Sequence, residues 1–423
     1  DVLKMFLLQH KLFDRRQKRI AEFLSAKGLR YLTIAGQSQI FKKSDNMSLD
    51  YKYPALKYLK PAAKRRIPHF VWEYLDSATG DEVTQANNRA SLQSIKMMPT
   101  ILRGEISPQT SQTFLGKTYD LPFGVAPVGM SGLIWADAER HLARNAAKTN
   151  IPYTLSTVAC QTPETIGPLT NGNGWFQLYP PKDLEIRKDM IGRIEGAGFE
   201  TLVLTLDLPA ASRRERQNRG GITQPPVMTA RILRQIALRP RWALETAFFG
   251  RPEMPFVASY GENLRGLPTT EHIGYLLRTS PDLEYLSWLR DHWKGHLIVK
   301  GVLDSTDVAR LEHIGADAIW VSNHAGRQFD AAPASIDVLP NIRQATKLPI
   351  IFDSGVESGL DILRAIALGA DFVMLGRAWH YALGALGPKG PTHLSHILKQ
   401  DLLANMAQLG IERLSECSKK IWS

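Results

Sequence analysis

Four side chains in this sequence could together take a proton from a carboxylic acid. His324 and Arg327 stand close together in SNHAGRQFD (322–330). A neutral imidazole accepts a proton near pH 7, and a guanidinium grips a carboxylate through two parallel hydrogen bonds. Asp207 could orient the imidazole and stabilise its cation. Lys300 could place positive charge beside an anionic cofactor ring. A lone histidine near a strand end is more often structural; His, Arg, Lys and Asp converging on one rim reverse that reading. Gly355, Gly376 and Arg377, with Asp353 and Ser354 beside them, could hold a phosphate through glycine amides, a helix N-terminus and a bidentate cation. A pair of plain glycine turns is the competing reading of those residues.

Such residues meet only if the elements beneath them converge. From Leu121 onward, short β-rich apolar runs alternate with polar, helix-periodic stretches. Eight runs lie near 122–126, 152–156, 174–179, 201–207, 297–301, 317–322, 349–353 and 371–376. Continuous apolar runs such as Leu202-Val203-Leu204 suit strands buried on both faces, as in a parallel sheet. Helices are expected over 135–149, 305–314, 335–345 and 359–368. This alternation predicts an α/β chain folded as a TIM (β/α)8 barrel, with an N-terminal helical cap and a long insertion after the fourth strand. In that fold the active site forms at the carboxyl ends of the strands. Those ends carry Ser156, Gln177, Tyr179, Thr205, Asp207, Lys300, the 322–327 motif, Asp353 to Gly355, and Gly376-Arg377.

Composition narrows the classes. The chain has 423 residues, 44% hydrophobic and 22% charged, near the globular average. No apolar run reaches the roughly 18 residues that a membrane-spanning helix needs. Cys160 and Cys417 form no C-x-x-C, which excludes a disulfide scaffold and a cysteine-built zinc site, and no metal is expected. So few cysteines fit a reducing compartment. The net charge of +11 resides in residues 1–66, with 16 basic and 5 acidic residues, so the body is neutral. A nucleic-acid enzyme would carry its basic stripe on the fold, and nucleic acid is not an expected partner. Residues 1–46 read as a basic extension foreign to the rest and dispensable for activity, with Met47 opening a segment that resembles a natural start. Met5 to Phe13 is too short an apolar stretch for a signal peptide. The expected organisation is an extension (1–46), a cap (47–120), a barrel (121–415) with an insertion at about 212–290, and a tail (416–423).

The insertion is a further feature. Residues 222–251 hold five Arg and one Glu. Ile232, Leu233 and Ile236 are expected on one helical face, with Arg231 and Arg234 outside it and Trp242, Phe248 and Phe249 following. A basic, aromatic amphipathic stretch over 228–257 can lie on an anionic membrane surface. A lid folded over the barrel rim would bury the same apolar face.

The motifs closely resemble the FMN-dependent α-hydroxy-acid dehydrogenase and oxidase family, which includes glycolate oxidase, mandelate dehydrogenase and L-lactate dehydrogenases. The resemblance spans about residues 50–415. It rests on SNHAGRQFD, LPFGVAPVGMSGL (121–133), LSTV (155–158), WFQLYPPKD (175–183), TLVLTLDLPAASRRER (201–216), IVKGV (298–302) and IFDSGVESGLDILRAIALGADFVMLGR (351–377), all in order.

The resemblance implies a role for each matching residue. His324 would be the base, paired with Asp207. Arg327, Tyr74 and Arg214 would bind the substrate carboxylate, and Tyr179 would hydrogen-bond near the reacting hydroxyl. Lys300 would stabilise charge on the flavin, and Ser156, Gln177, Thr205 and Ser322 would contact its ring. Asp353 would hold the ribityl chain, and Gly355, Gly376 and Arg377 the phosphate. Three positions depart from the family pattern: Ala325 and Ser354 stand where Gly is usual, and Glu357 where a basic residue is common.

The implied cofactor is FMN, and the implied reaction is oxidation of an L-2-hydroxy acid to the 2-oxo acid. His324 would remove a proton as two electrons pass to the flavin and then to a quinone or another carrier. Val158, short where glycolate oxidase has a bulky aromatic, and the likeness of LSTV to the lactate dehydrogenases make L-lactate the first choice of substrate. Gly129, where the oxidases usually have Ala, favours a dehydrogenase. A peroxide-forming oxidase is the alternative within the family, and an FMN-dependent isomerase the alternative of another class. A cytoplasmic enzyme, peripheral on the inner face of the cell membrane and forming a homo-oligomer (a tetramer in the family), completes the implied picture.

Overall fold

Runs of β-branched and aromatic residues have only one way to lose both faces to water, which is a sheet covered on each side. The computed structural model describes residues 45–221, 227–261 and 280–422. The chain divides into two compact units, Asp1–Lys52 and Tyr53–Ser423. In the first unit the helix Asp45–Lys52 is described. The extension expected over 1–46 lies, up to residue 44, outside the described residues, as do 222–226 and 262–279 of the insertion.

In the second unit, β1 (Gln112–Phe114) and β2 (Lys117–Tyr119) form an antiparallel hairpin. Eight strands follow: β3 (Phe123–Val125), β4 (Tyr153–Ser156), β5 (Gly174–Leu178), β6 (Thr201–Thr205), β7 (His296–Val302), β8 (Ala318–Val321), β9 (Ile350–Phe352) and β10 (Phe372–Leu375). They close in the order β10-β3-β4-β5-β6-β7-β8-β9, and each neighbouring pair is parallel. The fold is the TIM barrel that the alternating pattern predicts. Strands β3 to β6 and β8 to β10 lie within their expected runs, and β7 overruns its own at both ends.

Side-chain alternation along the strands separates two apolar layers. Trp175, Val203, Ile298, Ala318, Trp320, Ile351, Phe372 and Met374 fill the barrel interior. Phe114 and Tyr119 of the hairpin join them, each with its ring about 5.5 Å from Phe372, and close the amino-terminal mouth. Fully burying one side chain such as Phe372 contributes about 1.5–3 kcal/mol. The alternate residues, including Phe176, Leu202, Leu204, Leu297 and Val299, pack outward under the helices. Apolar filling stops short of the carboxyl ends. There Ser156, Gln177, Thr205, Lys300, Ser322 and Asp353 form a buried polar layer.

The helix His69–Asp76 belongs to the cap and buries Phe70, Val71, Trp72, Glu73 and Leu75. The insertion leans on it. Helix Ala230–Ala237 presents Gln235 Oε1 to the Phe70 amide at 2.8 Å, and Arg239 donates to the Ile67 carbonyl at 3.2 Å. Two sequence expectations are corrected here. Leu233 does not share the buried face of Ile232: consecutive helical residues point about 100° apart, and with Ile232 packed on Gly221, Leu233 is turned to solvent at 53% exposure. Trp242 is not a surface anchor. It is buried, donates to the Leu133 carbonyl at 3.2 Å and meets Phe70 edge-on at 5.9 Å. The insertion thus buries one part of its apolar surface and leaves Leu233, Leu238, Leu244, Phe248 and Phe249 exposed.

Candidate active site

His324 follows β8 and Asp207 follows β6, so the barrel brings together residues far apart in the chain. His324 Nδ1 lies 3.2 Å from both Asp207 carboxylate oxygens. Gly301 makes this approach possible, since a Cβ there would stand 2.7 Å from Asp207 Cβ. Burial pushes the Asp207 carboxyl up, but the charges of His324 and Lys300 outweigh it and hold it below the usual range. An ionised carboxylate only accepts, so Nδ1 carries the proton and Nε2 keeps its lone pair. Burial lowers the His324 pKa; Asp207 opposes that shift, and Lys300 and Arg214 add to it. The imidazole is therefore held in its neutral form.

The turn bearing it is strained. His324, Ala325 and Gly326 are consecutive left-handed residues, with φ of 55°, 56° and 75°. This conformation costs an L residue about 1–2 kcal/mol. The structure meets that cost with hydrogen bonds: the His324 amide donates to Ser322 Oγ at 3.1 Å and the Gly326 amide to the Asn323 carbonyl at 3.1 Å.

Arg327 is half-buried beside Tyr74, its guanidinium 5.7 Å from the ring centre. It donates to the Ser77 carbonyl at 2.6 Å. Burial first, then Arg214, pulls its pKa well below the usual value. Tyr179 senses the charges of Asp207, Arg214 and Arg327, and burial raises its pKa. Tyr74 donates to the Gly129 carbonyl at 2.8 Å. Arg214 lies within the field of His324, Arg327 and both tyrosines, with Nε on Ser212 Oγ at 3.0 Å. The six expected substrate and base residues therefore lie together at one rim of the barrel.

The expected flavin residues surround the same barrel mouth. Ser156 Oγ donates to Gln177 Oε1 at 2.9 Å, which leaves Gln177 Nε2 buried and without a partner. Thr205 Oγ1 is likewise buried and unpaired. Buried polar atoms are rarely left so, and two at one mouth fit a polar ring lying across them. Lys300 donates to Ser322 Oγ at 2.8 Å and stands 3.5 Å from Asp353 Oδ2, which also accepts from Trp320 at 3.0 Å. Gly376 directly precedes the helix Arg377–Leu386, and no side chain caps that helix's first amides, as an anion site requires. Arg377 donates to Gln85 at 2.7 Å and to the Asp76 carbonyl at 3.1 Å. Glu357, the acidic departure, is neutralised by Lys60 at 3.1 Å and Arg89 at 3.9 Å. The residues present fit FMN.

Several supports were not legible in the sequence. Arg216 binds Glu73, Asp76 and Glu82 at 2.6, 2.5 and 3.0 Å and ties the Arg214 loop to the cap. Asn88 and Asn323 exchange side-chain hydrogen bonds at 2.9 and 2.8 Å. His380, pushed down to about 4 by burial, donates from Nδ1 to the Gly376 carbonyl at 3.0 Å. Buried Glu139 accepts from the amides of Cys160 and Gly132 and joins the loops that carry Val158 and Gly129. Of these, only Arg216 had a sequence signal, its place in the SRRER cluster.

A family model described as FMN-dependent dehydrogenase matches residues 63–423. The L-lactate dehydrogenase of Pectobacterium atrosepticum is 37% identical over 365 residues, covering 84% of this chain and 93% of that protein. The L-lactate dehydrogenase of Stenotrophomonas maltophilia is 36% identical over 366 residues, covering 85% and 96%. Among solved structures, the monotopic membrane protein (S)-mandelate dehydrogenase superposes with a TM-score of 0.83 at 31% identity, covering 88% of this chain and 99% of that one. A soluble mutant of the membrane-associated (S)-mandelate dehydrogenase from Pseudomonas putida gives a TM-score of 0.74 at 31% identity, with 87% and 99% covered. With a family model matched over most of the chain and relatives more than 30% identical over most of their length, the chain belongs to the FMN-dependent dehydrogenase family and is an FMN-dependent oxidoreductase.

Proposed function

We propose that the protein oxidises an L-2-hydroxy acid, with L-lactate the first choice, to the 2-oxo acid. The observation that carries this reading is a neutral histidine, oriented by a half-buried carboxylate, at the same barrel rim as an arginine whose cation burial disfavours. FMN, when bound, supplies the two-electron oxidant. Ser156, Gln177, Thr205, Lys300 and Ser322 would hold its ring, Asp353 its ribityl chain, and Gly355, Gly376 and Arg377 its phosphate.

The protein's own work is to bind, orient and move a proton. Arg327, Arg214 and Tyr74 grip the carboxylate, and the bidentate arginine geometry fixes the carbinol carbon. Tyr179 hydrogen-bonds near the reacting hydroxyl. As the carbinol becomes a carbonyl it loses two electrons and two protons: one proton would go to His324 Nε2, and the electrons with the other proton to the bound oxidant. Asp207 stabilises the imidazolium that results. The same residues serve removal of the proton from oxygen or from carbon.

Val158 and Gly129 support the choice of substrate and acceptor. A Cβ on Gly129 would lie 2.6 Å from Val158 Cγ2, so the two positions form one wall of the pocket. A short Val158 leaves room for a lactate methyl or a larger group. Gly129 favours a quinone or another carrier as acceptor. The exposed Leu238, Leu244, Phe248 and Phe249, with Arg231, Arg234 and Arg241 also exposed, support a peripheral seat on an anionic membrane. The relatives include a monotopic membrane protein.

His324→Ala tests the reading. Loss of turnover by about 10³-fold or more with FMN retained is the expected result. Near-normal turnover would overturn it.

A further inference from the structure

Ala325 and Ser354, two non-glycine residues with positive φ, are separated by 29 positions in the sequence and bonded to each other in the fold. The Ala325 amide donates to Ser354 Oγ at 3.0 Å, and Ser354 Oγ donates to Asp353 Oδ1 at 2.8 Å. Asp353 Oδ2 faces Lys300, Lys300 donates to Ser322 Oγ, and Ser322 Oγ accepts the His324 amide. These contacts close a ring through both backbone amides flanking the His324 side chain. Ser354 is buried and left-handed, with φ of 87°, a conformation that favours glycine. A serine held there is strained, and local strain persists only where the surroundings over-determine it.

We propose that Ser354 is a positioning residue: its hydroxyl holds Ala325 in the left-handed turn that aims His324, and so replaces the freedom a glycine would give at 325. A hydroxyl can donate once while accepting, and Ser354 does both, which leaves it no rotational freedom. The link also runs from the base loop into Asp353, the residue read here as holding the ribityl chain. Base and cofactor mouth are thereby set against each other by one side chain. The inference rests on the reading of His324 as the base.

Three variants of the holoenzyme test it: Ser354→Gly, Ala325→Gly and the double variant, each scored for flavin absorbance, melting temperature, and kcat and KM with L-lactate. Glycine is at ease at φ 87°, so Ser354→Gly should keep FMN and melt no lower than the parent protein. Its kcat should nonetheless fall roughly tenfold with KM within about threefold, as for a base slightly misplaced. Ala325→Gly alone should stay near the parent values. In the double variant, where the turn no longer needs the hydroxyl, kcat should recover to within about threefold of the parent. An unchanged kcat in Ser354→Gly would overturn the proposal. So would a loss that tracks loss of flavin, or a double variant no better than Ser354→Gly. Activity surviving in His324→Ala would remove the base reading itself, whereas an inactive His324→Ala beside a fully active Ser354→Gly removes only the role of Ser354.

Discussion

His324 Nδ1 sits 3.2 Å from each carboxylate oxygen of Asp207, across 117 residues of sequence. Both oxygens are equally near, so the carboxylate faces the imidazole edge rather than passing by it. This fixes the tautomer and leaves Nε2 as the free acceptor.

The pair predicts a pH dependence of definite sign. The folded pKa of His324 is lowered from 6.5 by burial, partly offset by Asp207. The neutral base is therefore present above a pKa that itself lies below 6.5, and is lost as pH falls through it. In the free holoenzyme, kcat/KM should be flat near neutrality and fall tenfold per pH unit on the acid side, with its bend below 6.5. A bend well above 7 would contradict this account of the site.

Arg327→Lys should separate binding from chemistry. A lysine keeps the charge but not the fork. KM for the hydroxy acid should rise about ten- to a hundredfold, with the smaller change in kcat. Steady-state kinetics with a soluble dye acceptor would measure both, and an unchanged KM would exclude Arg327 from the carboxylate site.

Arg216 carries a stability prediction. It balances three carboxylates, of which Glu73 and Asp76 are the more buried. Removing one partner of a buried ion pair costs about 3–5 kcal/mol, and the lower end applies because Arg216 is itself 38% exposed. Arg216→Ala should lower the melting temperature by several degrees. It should also raise KM, because the Arg214 loop loses its anchor. Unchanged melting and unchanged KM would show that the cluster is incidental.

The insertion should matter for location and not for chemistry. Leu244 and Phe248 are 71% and 84% exposed on the insertion helix Pro240–Phe249. Leu244→Asp with Phe248→Asp should weaken flotation with anionic vesicles at least tenfold, while activity with a soluble acceptor stays within twofold. Undiminished flotation would move the membrane contact elsewhere.

The barrel, and the gathering of the candidate residues at its rim, were legible in the sequence for a physical reason. Strands buried on both faces must be continuously apolar, so Leu202-Val203-Leu204 and its counterparts mark themselves. Polar residues just past such runs, from Ser156 to Arg377, then fall on one rim. The supports were hidden because nothing local requires them. Arg216 reads as one more charge until Glu73 and Asp76 are brought beside it from the cap. Asn88 and Asn323 carry no periodic signal, and His380 looks like any helical residue. In the insertion, hydrophobic spacing shows an apolar face but not which side packs first. Hence Leu233 was expected with Ile232, and Trp242 at the surface.

The central claim is that FMN in this mouth takes two electrons from an L-2-hydroxy acid. An anaerobic absorption spectrum of the purified holoenzyme, before and after L-lactate, tests it most directly. The account predicts flavin bands that bleach with L-lactate, and slow reoxidation when air is admitted, as suits a dehydrogenase. Bands that no L-2-hydroxy acid bleaches would contradict it.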